Sequence, residues 1–191
     1  MAKRVYIIHG WAGRPDEAWF PWIRKQLEEK DFEVFAPAMP DPDYPKIEVW
    51  VQFLENLIDS PDKNTYFVGH SSGSQAIMRY LEKLPEDIKV GGCVFVAGWF
   101  KLKNLTTEED WDIAKPWMER IINFEKVKRH AHSLVAVFSE NDPYVDLENK
   151  TLFEENLGAK TILDGHKGHF DKDDGIIELP VVLRELLKMI K

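Results

Sequence analysis

The chain has 191 residues, with 44% hydrophobic and 30% charged side chains and a formal net charge of −8. This composition is typical of a soluble globular protein, and no stretch approaches the roughly 20 apolar residues that a membrane span requires. The acidic balance, without a cluster of Lys and Arg, argues against nucleic-acid binding. We therefore expect neither a membrane nor a nucleic acid as a partner.

Short apolar blocks alternate with amphipathic blocks along the chain, which is the pattern of βαβ units around a parallel sheet. Strands are predicted over residues 5–9, 34–36, 65–69, 90–96, 134–138 and 160–163. Apolar residues at helical spacing predict helices over 19–27, 47–58, 75–81 and 179–190. The sequence therefore predicts a single domain over 1–191, a three-layer α/β/α sandwich with a mostly parallel six-stranded sheet.

Two segments interrupt this alternation. Residues 37–45 carry four prolines and are predicted to form an irregular surface loop. Residues 98–118 lie between two predicted strands and are rich in aromatic side chains, so we expect them to form a lid or pocket wall. Within this segment, Trp99 and Trp117 are predicted to line a substrate pocket.

The pentapeptide Gly69-His70-Ser71-Ser72-Gly73 directly follows a predicted strand and precedes a helix-like stretch. In this G-x-S-x-G spacing, small residues on either side of the serine allow a sharp strand-to-helix turn that exposes its hydroxyl. The pattern therefore predicts Ser71 as a nucleophile. Two backbone N–H groups are predicted to form the oxyanion hole, that of Ser72 and that of Trp11 in the loop after the first strand, with Ala12 as the alternative to Trp11.

A nucleophilic serine needs a base and an acid, and candidates for both follow later strands. Asp142 comes just after the predicted strand 134–138, and the competing carboxylates are Glu140, Asp146 and Asp164. His169 follows the last predicted strand, and His166 lies three residues earlier on the same loop. Right-handed crossovers place the carboxyl ends of parallel strands at one edge, so these residues are expected near Ser71. The chain order Ser, Asp, His is that of α/β-hydrolases.

These motifs resemble those of a known family. The serine pentapeptide, Asp142-Pro143 and Gly168-His169-Phe170, on so short a chain, look like the small serine hydrolases related to retinoblastoma-binding protein nine and the bacterial YdeN-like esterases. The resemblance covers nearly the whole chain and implies a minimal α/β-hydrolase fold, with Ser71 as nucleophile, Asp142 as acid and His169 as base. No Leu-x-Cys-x-Glu stretch is present in the sequence, so binding to a retinoblastoma-type partner has no support.

The sequence thus predicts a serine esterase that cleaves small acyl esters through an acyl-enzyme, without a metal or cofactor. The same triad also serves thioesterases, peptidases and acyltransferases, and a non-catalytic binding protein on this fold is an alternative of another class. The run Asp171-Lys172-Asp173-Asp174-Gly175 departs from a calcium loop in its glycine position and lacks the Glu, so we interpret it as a solvated turn. The single Cys93 and the lack of a signal-peptide pattern predict a cytoplasmic location.

Overall fold

The computed structural model describes residues 3–190, and these form a single six-stranded sheet flanked by helices. The strands are β1 (Lys3–Ile8), β2 (Phe32–Phe35), β3 (Thr65–His70), β4 (Gly92–Val96), β5 (Leu134–Phe138) and β6 (Lys160–Leu163). Their order in the sheet is β2-β1-β3-β4-β5-β6, and every neighbouring pair is parallel. The predicted α/β fold is confirmed, and the described sheet is wholly rather than mostly parallel.

Helices cover both faces of this sheet. Over residues 3–190 they are α1 (Phe20–Glu28), α2 (Ile47–Leu57), α3 (Ser72–Leu81), α4 (Glu108–Glu119), α5 (Phe124–Arg129), α6 (Glu148–Leu157) and α7 (Pro180–Met189). Helix α1 contacts α7, which packs on β4 and β5, whereas α2, α3, α5 and α6 contact one another in turn as a second layer. Because both faces are covered, β3, β4 and β5 are buried along their whole length, which explains their continuous apolar sequences.

The predicted and observed elements differ mainly in the connections. The strand predicted over 90–96 begins at Gly92, since Val90 makes only an isolated bridge with Ala131. The segment 98–118 contains most of α4, whose start is fixed by a capping box between Thr107 and Asp110. Helices α4, α5 and α6 were not predicted from the sequence, because none of them carries a clear stripe of apolar residues at helical spacing.

The register of the strands decides which loops meet. Ile8, Gly69, Phe95 and Ala136 are aligned across β1, β3, β4 and β5. The segments that follow these four strands therefore leave the sheet at the same edge, although they are distant in sequence. Among the described residues, no helix is both long enough and apolar enough to cross a bilayer.

Candidate active site

Ser71 lies on a strained turn between β3 and α3. Its backbone angles are φ 52° and ψ −121°, a combination that is costly for a residue with a side chain, by about 1–3 kcal/mol. The turn is held by a hydrogen bond from the Ser71 N–H to the carbonyl of Val96 at 2.9 Å. A Cβ placed on Gly10 would lie 2.8 Å from the Cβ of Ser71, so the glycine lets the loop after β1 approach the serine. Strand, turn and helix together thus present the Ser71 side chain at the sheet edge.

Asp142 and His169 form a buried pair beside this turn. The Nδ1 atom of His169 lies 2.9 Å from Oδ2 of Asp142, and the two side chains are only 11% and 2% exposed. The other carboxylate oxygen, Oδ1, accepts the backbone N–H groups of Tyr144 and Val145, each at 2.9 Å. These bonds fix the carboxylate, which then orients the imidazole and favours the tautomer with its proton on Nδ1. The Nε2 atom of His169 is left as the nitrogen able to accept a proton.

The competing residues lie in other surroundings. His166 is 70% exposed, and its Nε2 atom lies 3.3 Å from Oε2 of Glu140, which is 41% exposed. Asp146 pairs with Lys103, and Asp164 pairs with Lys167. Of the candidate acids and bases, only Asp142 and His169 have side chains that are almost or largely buried and hydrogen-bonded to each other in the described part of the chain.

The loop that carries His169 is fixed by two hydrogen bonds to its backbone. The ring Nε2–H of His70 donates to the carbonyl of His169 at 2.7 Å, and the N–H of His169 donates to Asp174 at 2.7 Å. Burial, reinforced by the neighbouring His169, lowers the pKa of His70 to about 4, so its ring is a neutral donor at neutral pH. Asp174 also accepts the N–H of Asp171, so this acidic turn binds backbone groups and shapes the loop rather than being simply solvated.

The two candidate oxyanion donors differ in their backbone partners. The N–H of Ala12 donates to the carbonyl of Pro42 at 2.7 Å and is therefore occupied. For the N–H of Trp11, no acceptor is found among residues 3–190. Ser72 is the first residue of α3, where backbone N–H groups lack partners inside the helix and favour negative charge. Of the three N–H groups predicted as candidates, that of Ala12 is thus the one already bonded to another backbone group in the described part of the chain.

A cavity of about 270 Å³ opens beside Ser71 and His169. Its wall combines apolar and polar side chains: Trp11, Ala12, Ser72, Leu102, Asn104, Leu105, Thr106, Asp110, Tyr144 and Asp171. The segment before α4 therefore contributes to the cavity, as the aromatic-rich stretch was expected to do, but through Leu102 and Leu105 rather than through tryptophan. A second cavity, of about 280 Å³, shares Trp11 and His169 with the first as lining residues.

The two tryptophans predicted for the pocket have different surroundings. Trp117 does not line the cavity, contrary to the prediction: it is 2% exposed, donates its indole N–H to the carbonyl of Pro45 at 3.0 Å and packs against Trp50. Trp99 does not line the cavity either, again contrary to the prediction; it is buried, but its indole N–H reaches the Oγ atom of Ser71 at 3.2 Å. The sequence placed Trp99 near the site without indicating this bond; its position just after β4, at the same edge as Ser71, was the only signal.

Comparison with known proteins gives the family. A model of the serine hydrolase family matches residues 5–188. The hydrolase YdeN of Bacillus subtilis (strain 168) is 31% identical over 95% of this chain and 93% of its own length. The serine hydrolase RBBP9 of Rattus norvegicus is 27% identical over 91% of this chain and 84% of its own length.

Solved structures agree with this assignment. The crystal structure of the ydeN gene product from B. subtilis has a TM-score of 0.90 and 29% sequence identity and covers 98% of both chains. Est1E from Butyrivibrio proteoclasticus, at 15% identity, shares the fold with a TM-score of 0.71 over 99% of this chain and 88% of its own. With sequence and structure matched over nearly its whole length, the chain belongs to the serine hydrolase family and has an α/β-hydrolase fold.

Proposed function

We propose that this serine hydrolase is a carboxylesterase that cleaves small acyl esters through an acyl-enzyme on Ser71. The observation that carries the proposal is the largely buried hydrogen bond of 2.9 Å between His169 and Asp142, next to a serine on a strained turn. A purely binding protein has no need of that strain, which costs stability and serves to place the Ser71 side chain at the cavity. The geometry therefore favours turnover over the alternative of a non-catalytic scaffold.

The proposed reaction has two stages. In acylation, Nε2 of neutral His169 takes the proton of Ser71 while Oγ attacks the ester carbonyl, and Asp142 stabilises the resulting imidazolium. The N–H groups of Trp11 and Ser72 bind the oxyanion of the tetrahedral intermediate. His169 then returns the proton to the leaving alcohol, and the C–O bond to that alcohol breaks. In deacylation, His169 takes a proton from water as the water oxygen attacks the acyl carbon, and then gives that proton to Oγ of Ser71 as the bond between Oγ and the acyl carbon breaks and the carboxylic acid leaves. These steps need no metal and no organic cofactor.

The size and the lining of the cavity favour a substrate with a small, uncharged acyl group. Its volume of about 270 Å³ lies just below the usual range of ligand pockets, and Leu102, Leu105 and Tyr144 contribute apolar wall. Two carboxylates, Asp110 and Asp171, also line it. Hydrogen bonding to Thr107 lowers the pKa of Asp110, which keeps that carboxylate ionised. Acyl groups that end in a carboxylate are therefore disfavoured relative to neutral acyl groups of the same length.

The location proposed for the enzyme is the cytoplasm. The only cysteine of the chain, Cys93, is a buried free thiol, as expected for a protein that does not depend on an oxidising compartment. No retinoblastoma-type partner is proposed.

The test compares Ser71→Ala with the matched control Ser72→Ala. Both serines are buried at the turn. The proposed role of Ser72 belongs to its backbone N–H, so the side chain of Ser72 should be dispensable. We expect Ser71→Ala to lose fluorophosphonate labelling and p-nitrophenyl acetate hydrolysis by at least about 10³-fold, whereas Ser72→Ala retains most of both. Labelling that persists in Ser71→Ala would contradict the proposal. A panel of matched ester, thioester and anilide substrates on the wild-type protein then tests the preference for esters.

A further inference from the structure

The indole of Trp99 contacts the side-chain oxygen of Ser71 directly. Its Nε1–H donates a hydrogen bond to Oγ of Ser71 at 3.2 Å, and the tryptophan is only 1% exposed. No hydrogen bond joins Ser71 directly to His169 among the described residues, so the indole is the side chain that holds the serine hydroxyl in this structure. The contact lies within the protein and does not depend on a substrate.

The backbone around Trp99 fixes the direction of the indole. Ala97, at the end of β4, has a positive φ of 45° and donates its N–H to the carbonyl of Val137 at 2.9 Å. A Cβ placed on Gly98 would lie 2.6 Å from the ring of Phe153, so the chain passes close to α6 at this point. The strained residue and the close approach together turn Trp99 back toward Ser71.

A chain of buried polar groups holds the carbonyl of the same residue. The amide Nε2 of fully buried Gln75 donates to the Trp99 carbonyl at 3.0 Å. The amide oxygen of Gln75 accepts a hydrogen bond from Nη2 of Arg79 at 3.0 Å. The carbonyl oxygens of Trp117 and Arg120 lie 3.0 Å and 2.8 Å from the same nitrogen, so its two hydrogens are shared among three acceptors. Gln75 and Arg79 belong to α3, the helix that begins directly after Ser71. Helix α3 therefore holds the backbone of Trp99 at a fixed position relative to the Ser71 turn.

We propose that Trp99 is a positioning residue for the nucleophile. A hydroxyl has one proton to donate and two lone pairs that accept. The indole N–H occupies one lone pair of Ser71 Oγ, which fixes the oxygen and leaves its proton free to point toward an acceptor, and His169 is the base in the same cavity. In deacylation, the same N–H stabilises the negative charge that develops on Oγ as the C–O bond to the acyl group breaks. This inference rests on the proposed role of Ser71.

The first experiment replaces Trp99 with Phe, which removes the N–H and keeps an aromatic ring. We expect kcat for p-nitrophenyl acetate and the rate of fluorophosphonate labelling to fall about tenfold, the effect of losing one hydrogen bond to a reacting atom. KM should change less than twofold, because the N–H bonds to the enzyme and not to the substrate. The matched control is Trp117→Phe, which removes a buried indole N–H that contacts Pro45 instead; it should lower thermal stability but leave kcat within about twofold.

A second variant guards against misfolding of Trp99→Phe. Incorporating 3-benzothienylalanine at position 99 keeps the bicyclic ring but has sulfur in place of the N–H, and the same tenfold loss in kcat is expected. A kcat at or above the wild-type value in either folded variant would overturn the inference, since the indole would then be structural or inhibitory. The Ser71→Ala test separates the two proposals: if Ser71→Ala is inactive and the Trp99 variants are fully active, the proposed function survives and only the role of Trp99 fails.

Discussion

The glycine that follows the serine turn permits a sharp test of how the turn is built. A Cβ placed on Gly73 would lie 2.6 Å from the carbonyl oxygen of His9 and closer still to that of Ile8, whereas real Cβ atoms stay beyond 3.0 Å from such neighbours. The atoms it meets are backbone atoms at the end of a buried strand and cannot rotate away. Relieving the contact with His9 alone requires a shift of about 0.4 Å, and the shorter contact with Ile8 requires more, so Gly73→Ala must push α3 and β1 apart by more than about 0.4 Å.

We expect this displacement to cost about 3 kcal/mol of unfolding free energy, the upper part of the usual range for overpacked sites. For a chain of this size, that corresponds to a fall in Tm of about 6–12 °C. The rate of fluorophosphonate labelling should also fall by at least about tenfold, because α3 carries the Ser72 N–H. Urea unfolding and labelling kinetics measure the two effects.

The matched control is Gly158→Ala at the end of α6. Gly158 has a φ of 60°, but a Cβ placed on it would have no neighbouring atom within 4 Å, so alanine there meets only backbone strain, about 1 kcal/mol. Its labelling rate should equal that of the wild type. If Gly73→Ala is no less stable than Gly158→Ala and labels at the wild-type rate, the close approach of α3 to β1 does not constrain the site.

Three further predictions concern the base, the cavity and acid stability. His169→Ala should abolish ester hydrolysis and His166→Ala should retain most of it in p-nitrophenyl acetate assays; the reverse order would move the base to His166. Leu105→Ala should shift the ester preference toward longer acyl chains in a chain-length panel, whereas Trp117→Ala should lower Tm by several degrees with unchanged relative rates. Burial alone would raise the pKa of Glu185, but hydrogen bonds from three surrounding cations hold it at about 2. Since that folded pKa lies below the ordinary value of about 4.3, the stabilisation is complete above pH 4.3 and is lost as pH falls toward 2. Glu185→Gln should therefore lower stability at pH 7 by about 1–3 kcal/mol and flatten the loss between pH 4 and 2 in acid titrations of urea unfolding.

The sequence predicted the sheet better than the surroundings of the serine. Continuous apolar runs mark strands that are buried on both faces, so the six strands were placed to within a few residues. The choice of His169 over His166 depended on family resemblance, because both histidines are flanked by glycine on one loop. In the structure, burial and the contact with Asp142 separate them.

The aromatic residues show where sequence reasoning stops. Trp99 and Trp117 belong to one aromatic-rich segment, yet one contacts Ser71 and the other fills the core against Trp50. The difference arises from a positive φ at Ala97 and from helix α4, whose sequence has no clear apolar stripe. Local spacing and composition do not determine this tertiary packing, so they cannot distinguish an aromatic residue at the site from one in the core.

The position of Cys93 makes its thiol a chemical probe for rare opening of the central strands of the sheet. It lies on β4 with strands on both sides, it is fully buried, and burial raises the pKa of its thiol. A thiol in this state is unreactive toward alkylating reagents until the middle of the sheet separates. Because the chain has no other cysteine, the rate of its modification under native conditions measures how often the central strands part, independently of any motion in the loops around Ser71.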